Sequence, residues 1–168
     1  MPKFKPLPKK SIPEALEKAK HYRLLNEPRI AESICLDILK VDPDHQEALV
    51  MVVLSISDLL ERRKAEGVRQ AREHIAKIKD EYKRAYYDGL VCERRGLVVL
   101  RASQPGHHHY AYNWFMEALE HYAEAEKVQP KDSSEVILRW NTICRIFEAY
   151  PNLGPAPEDD QHASGMLE

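Results

Sequence analysis

A helix-breaking segment occurs twice in this 168-residue chain. "ILKVDPDHQEAL" (38–49) places Pro43 between two helix-forming runs, and "AEKVQPKDSSEV" (125–136) places Pro130 in the same way. Proline has no backbone N–H to donate, and it disfavours helical geometry at the residue before it. The chain is therefore predicted to stop as helix at both points, turn, and begin a new helix.

Helical patterns surround both breaks, whereas strand patterns are almost absent. Apolar residues recur every three or four positions from Ala15 to Leu25 and again from Ile30 to Val41. Gly67 is predicted to separate a third helix from a fourth. The predicted helices span about 12–26, 28–41, 45–65, 68–79, 80–102, 110–128 and 133–150. Short connections predict antiparallel neighbours, so the fold is expected to be all-α, either a bundle or a stack of helix pairs.

Length and composition indicate one helical domain with short flanking segments. The chain is long enough to bury a core, and 43% of its residues are hydrophobic. Residues 1–11 contain three prolines and no apolar core, so they are predicted to be a flexible N-terminal segment and not a secretory signal. Residues 12–150 form the predicted domain, and the proline-rich 151–168 is predicted to be a disordered tail.

Charge and cysteine content limit the classes of partner and compartment. The net charge is −2 and the pI about 6.5, so no strong field attracts nucleic acid or an anionic membrane. The apolar run "ALVMVVL" is too short to span a bilayer. Cys35, Cys92 and Cys144 lie in apolar-periodic stretches without metal-ligand spacing, so they are predicted to be reduced and buried. A cytoplasmic protein is expected.

The two breaks belong to a longer repeated pattern. Aligning Pro43 with Pro130 also aligns Val41 with Val128, Lys40 with Lys127 and Ala31 with Ala118. In the first unit the small Ala19 and the aromatic Tyr22 precede Ala31. This pattern resembles the tetratricopeptide repeat, a helix pair in which small residues permit close helix packing and a proline forces the turn into the next pair.

Two later segments carry the same resemblance. "WFMEALEHYAEAEKVQP" (114–130) looks like the second helix of a repeat, with Ala118 and Tyr122 at packing positions. "YYDGLVCERRG" (86–96) resembles a first helix with Gly89 as its small residue, although Cys92 stands where an aromatic is usual. About seventeen additional residues between Gly89 and Ala118 predict longer helices and a His-rich loop.

The resemblance implies a short right-handed superhelical stack of about seven helices, acting as a non-catalytic adaptor. In this family the first helices of successive pairs line a concave groove that holds a peptide or helix of a partner. The corresponding residues here are Leu16, Lys20, Arg23, Val50, Leu54, Lys83, Tyr86, Leu90, Arg94, Asn141 and Arg145. Their apolar and cationic character predicts a partner with apolar anchors and acidic flanks. Only Asn141 fits the carboxylate clamp that some members use, so a chaperone-tail ligand is not expected.

Two alternatives to the adaptor remain open. The first is a self-assembling subunit in which aromatic residues pack across a two-fold interface, namely Trp114, Phe115, Trp140 and Phe147. The second is metal binding by the loop residues His107 to His109, although adjacent imidazoles do not converge readily on one ion.

Enzyme signatures are lacking in the sequence. It contains no Gly-rich phosphate loop, GxSxG elbow or HExxH motif, so no catalytic residue, cofactor or metal ligand is predicted. Glu117 and His121 have i,i+4 spacing but are interpreted as part of a solvated helix face. The charged segment 61–74 alternates arginine and glutamate and is likewise interpreted as a solvated face.

Overall fold

The computed structural model describes residues 1–102 and 104–156, and these residues contain seven α-helices and no strand. The helices are α1 (Ile12–Leu24), α2 (Pro28–Val41), α3 (Gln46–Ser57), α4 (Leu60–Ile75), α5 (Glu81–Leu100), α6 (His107–Lys127) and α7 (Glu135–Ala149). The prediction of an all-α fold is confirmed. Among the residues that the structure describes, no helix is both long and apolar enough to cross a membrane.

Both proline breaks end a helix as predicted. α2 stops at Val41, and Asp42 takes an extended conformation (φ −135°, ψ 88°) directly before Pro43. α6 stops at Lys127, three residues before Pro130. The new helix α3 is capped by His45, whose ring nitrogen Nδ1 accepts the backbone N–H of Ala48 at 3.3 Å.

The predicted boundary between the third and fourth helices is wrong. α3 ends at Ser57 and α4 begins at Leu60, so the chain reverses at Asp58 and Leu59, and Gly67 lies buried inside α4. The turn is fixed by burial, because Leu59 and Leu60 are 6% and 0% exposed. α4 also contains a kink at Lys64, whose φ of 54° is non-helical.

The helices pack in chain order. Each helix contacts the next one along the chain, and α1 also contacts α3, while α3 contacts α5. Two ion pairs join α4 to helices that do not adjoin it in sequence. Arg63 pairs with Glu32 of α2, and Arg72 pairs with Glu117 of α6. The helices α1, α3 and α5 therefore lie next to one another.

The longest helices, α5 and α6, make the closest packing. They have 20 and 21 residues, against 13 and 14 in α1 and α2, which agrees with the predicted lengthening. A Cβ atom built on Gly89 lies 2.7 Å from the ring of Tyr122, and one built on Gly96 lies 2.8 Å from the ring of Phe115. The two glycines thus permit a helix approach that larger residues prevent.

Three further predictions need correction. His107 to His109 form the first turn of α6 and not a loop. Cys144 is exposed, unlike Cys35 and Cys92. The predicted tail begins as packed chain, since Leu153 is 7% exposed and the Gly154 carbonyl lies 2.9 Å from Nδ1 of His109. The rest of the predicted tail, 157–168, and position 103 of the predicted loop lie outside the described residues.

Candidate partner-binding surface

Side chains from α1, α3 and α5 converge on the carboxylate of Asp58. Arg23 Nε on α1 donates to Asp58 Oδ2 at 2.7 Å, and Arg94 Nη1 on α5 donates to Asp58 Oδ1 at 2.5 Å. Arg94 Nη1 also donates to the hydroxyl of Ser57 and lies 3.4 Å from the carbonyl oxygen of Leu54. We call the patch formed by Lys20, Arg23, Val50, Leu54, Asp58 and Arg94 the Asp58 surface.

The cluster of Arg23, Asp58 and Arg94 is partly shielded from water and carries excess positive charge. The side chains of Arg23 and Arg94 are each 23% exposed, and that of Asp58 is 25% exposed. Desolvation lowers the pKa of Arg94, and the charge of Asp58 opposes this shift. Because one carboxylate faces two guanidinium groups, the cluster is net cationic.

Two half-buried apolar side chains, four residues apart, share one face of α3, the helix that ends directly before Asp58. Val50 and Leu54 are both half-buried on α3, and Val50 packs against the core cluster that includes Leu49 and Val53. Tyr87 packs against the same cluster, and burial raises its pKa to about 12, which Arg23 partly offsets. Sequence reasoning selected the neighbouring Tyr86 and missed Tyr87.

The other predicted groove residues divide into buried and exposed groups. Leu16, Tyr86 and Leu90 are 5%, 8% and 2% exposed, so they pack inside the protein and do not line an open surface. The side chains of Lys83, Asn141 and Arg145 are exposed and lie outside the Asp58 cluster. From the predicted set, Arg23 and Arg94 therefore meet at Asp58, and Arg94 also contacts the backbone of Leu54, which shares a face of α3 with Val50. Lys20 pairs with Glu17 at 2.7 Å and with Glu47 of α3 at 3.3 Å.

A buried carboxylate adjoins this surface and holds α7 in place. Glu93 is 2% exposed, accepts the hydroxyl of Tyr122 at 2.6 Å, and lies 3.2 Å from Nη1 of Arg139 on α7. Sequence reasoning missed both Glu93 and Arg139. One signal was available, because Glu93 shares the spacing of the buried residues Tyr86, Gly89 and Gly96.

The four residues of the self-assembly alternative do not form one exposed patch. Phe115 is 0% exposed, and its ring centroid lies 6.1 Å from that of Phe147, which also packs on Tyr112. Trp114 is half-buried, and Trp140 is 37% exposed. A two-fold interface through all four residues is therefore inconsistent with this fold.

The two helix faces predicted to be solvated are only partly so. Arg69 is exposed and pairs with Glu66 and Glu73 on its own helix, as predicted. Arg72, in contrast, reaches across to α5 and α6. Glu117 and His121 are half-buried at that junction and do not belong to a solvated face.

Comparison of the chain with protein-family models, with curated proteins and with solved structures finds no match.

Proposed function

We propose that this chain is a tetratricopeptide-like adaptor that binds a segment of a partner protein at the Asp58 surface. One observation carries the proposal: Arg23 of α1 and Arg94 of α5 meet at Asp58, the residue directly after α3, and Arg94 Nη1 also lies 3.4 Å from the carbonyl oxygen of Leu54 in α3. A surface built from successive first helices is where stacked helix pairs bind extended ligands. A partner segment lying across it would contact all three helices.

The chemistry of the surface favours a segment with apolar and acidic side chains. Two arginines present more N–H donors than the two oxygens of Asp58 accept, so donors remain for an incoming carboxylate. Val50 and Leu54 offer apolar area that a partner side chain can cover. Arginine is enriched among binding hot spots, which lie in well-packed patches shielded from water, so Arg23 and Arg94 are the expected anchors of the interaction.

The surface is organised before any partner arrives. Ion pairs hold α1 and α5 against α3 at Asp58, and the helices themselves are packed along the chain. A rigid surface loses little conformational entropy on binding, so most of the ordering cost falls on the partner. We infer a non-catalytic role.

Peptide display provides the direct test. Random peptides selected on the full chain are expected to combine apolar residues with flanking Asp or Glu, and to bind less tightly as salt is increased. Arg23→Gln and Leu54→Gln are each expected to weaken a selected peptide about tenfold, or about 1.4 kcal/mol, in a fluorescence titration.

Arg69→Gln is the matched control, because Arg69 is an exposed arginine that pairs only within α4 among the contacts described. Its effect on peptide affinity is expected to be small. Selected peptides without acidic residues, or equal affinities for wild type, Arg23→Gln and Leu54→Gln, would contradict the proposed surface.

Self-association is a second candidate function, and one observation favours it. α7 ends the helical array, and its Ile137, Leu138 and Trp140 are 48%, 62% and 37% exposed. Apolar area of this kind can be covered by a second copy. Light scattering that gives a dimer mass for wild type and a monomer mass for Leu138→Lys would favour this candidate over the adaptor.

A further inference from the structure

Four metal-ligating side chains surround one guanidinium between α4, α5 and α6. Arg72 of α4 donates from Nε to Asp88 Oδ1 at 2.8 Å and from Nη2 to Cys92 Sγ at 3.2 Å. The same Nη2 donates to Glu117 Oε1. His121 Nε2 lies 3.7 Å from Asp88 Oδ1 and 3.9 Å from Glu117 Oε1. We call these four residues, without Arg72, the Asp88 cluster.

The spacing within the Asp88 cluster is close to that of a metal site. Ligand atoms around a four-coordinate zinc ion, at bond lengths of about 2.0–2.3 Å, lie about 3.3–3.8 Å apart. The ligand atoms of Asp88, Cys92 and His121 lie within 4.8 Å of one another. Rotamer adjustments that move these atoms by about 1 Å or less therefore bring them to coordinating distances.

Helical geometry explains how the cluster forms. Asp88 and Cys92 are four residues apart on α5, and Glu117 and His121 are four residues apart on α6, so each pair projects from one side of its helix. Gly89 and Gly96 bring α5 and α6 close together, which places the two pairs opposite each other.

Pairing of Arg72 does not by itself require a thiol and an imidazole at this place, although the Cys92 thiol also donates to Asp88 Oδ1 at 4.0 Å. Two carboxylates are sufficient to pair a guanidinium, and Asp88 and Glu117 already do so. Cys92 is buried and directs its sulfur at the same point, while His121 directs a ring nitrogen there. Thiolate, imidazole and carboxylate are together the donor set that binds zinc and similar ions.

We propose that the Asp88 cluster binds a divalent transition-metal ion of the zinc class, and that Arg72 occupies its place when the metal is absent. Binding forms bonds from the ion to Cys92 sulfur, His121 Nε2 and the carboxylates, and the thiol proton of Cys92 passes to solvent. Arg72 is 36% exposed and moves outward, where its charge still balances the carboxylates. The ion thereby cross-links α5 to α6 and releases α4 from its ion pairs with them.

Cobalt(II) provides a direct readout because it takes the place of zinc in tetrahedral sites and gives a sulfur-to-metal charge-transfer band when a thiolate binds it. Titration of the reduced full chain with cobalt(II) is expected to produce this band at one ion per chain, and added zinc is expected to remove it. Cys92→Ser is expected to abolish the band, and His121→Gln to weaken cobalt binding at least about tenfold. Arg72→Met is expected to bind cobalt more tightly than wild type.

Two matched variants exclude other sources of the signal. Cys144→Ser removes the exposed thiol, and a triple His107, His108 and His109→Gln variant removes the adjacent imidazoles; both are expected to retain the band. Circular dichroism of each variant confirms that the helices are intact. If the wild-type chain shows no band, the proposal is overturned. This holds even if the Arg72→Met variant shows the band. Persistence of the band in Cys92→Ser does so too.

Discussion

Replacing Arg139 with methionine is expected to lower the free energy of unfolding by about 3 kcal/mol. Arg139 is the cation that faces the buried carboxylate of Glu93, at 3.2 Å. Methionine keeps much of the side-chain volume but leaves the carboxylate with only the hydroxyl of Tyr122 as a described donor. This loss is at the low end of the range for breaking a buried ion pair, because the side chain of Arg139 is 36% exposed. Urea unfolding followed by circular dichroism measures it.

Arg145→Met is the matched control on the same helix. Arg145 is exposed, so its loss is expected to change the free energy of unfolding by about 0.5 kcal/mol or less. Adding Glu93→Gln to Arg139→Met removes the unpaired charge but keeps an acceptor for Tyr122, and is expected to restore about 1 kcal/mol or more. Equal losses for Arg139→Met and Arg145→Met would show that the Glu93 pair does not stabilise α7.

The helices next to prolines were predictable from sequence because the relevant physics is local. Pro43 restricts the residue before it whatever the rest of the chain does, so the end of α2 at Val41 follows from two residues. The small residue at Gly89 was expected for a different reason, namely the resemblance of 86–96 to the first helix of a repeat, and the ring of Tyr122 fills the space beside it.

The turn between α3 and α4 was not predictable because nonlocal contacts determine it. The apolar pattern continues through Ile56, Leu59 and Leu60, which reads as an uninterrupted helix. In the structure Leu59 and Leu60 are buried at the reversal, and Asp58 is held by Arg23 from α1 and Arg94 from α5. Gly67 was a more obvious helix-breaking residue in the sequence than Asp58 or Leu59, but in the structure it lies inside α4.

The sequence indicated which helices contribute to the candidate surface. It was less informative about which residues of those helices do so. Periodicity marks the apolar stripe of a helix but does not show which part of that stripe a neighbour covers. α5 packs against α3, α4 and α6, so Leu90 is buried, whereas Arg94 reaches the side where Asp58 lies. Asp58 itself had no signal, since its role depends on two arginines that are 35 and 36 residues away in sequence.

Replacing Gly89 with alanine is expected to lower the free energy of unfolding by about 1–3 kcal/mol, although alanine is the better helix former. The added methyl group would lie 2.7 Å from the ring of Tyr122 and 3.2 Å from the carbonyl oxygen of Ala118. Neither atom yields easily, because the Ala118 oxygen belongs to the backbone of α6 and the ring of Tyr122 is held by its hydrogen bond to Glu93. Thermal and urea unfolding measure the change.

Gly154→Ala is the control for this substitution, because a Cβ atom at Gly154 meets nothing within 4 Å. Its effect is expected to be about 0.5 kcal/mol or less. The clash at Gly89 acts through the ring of Tyr122, so Tyr122→Leu in the Gly89→Ala background is expected to lose less stability than the sum of the two single changes. If the two losses are additive, or if Gly89→Ala is as stable as wild type, then Gly89 does not pack closely on Tyr122. The helices α5 and α6 would then be farther apart than described.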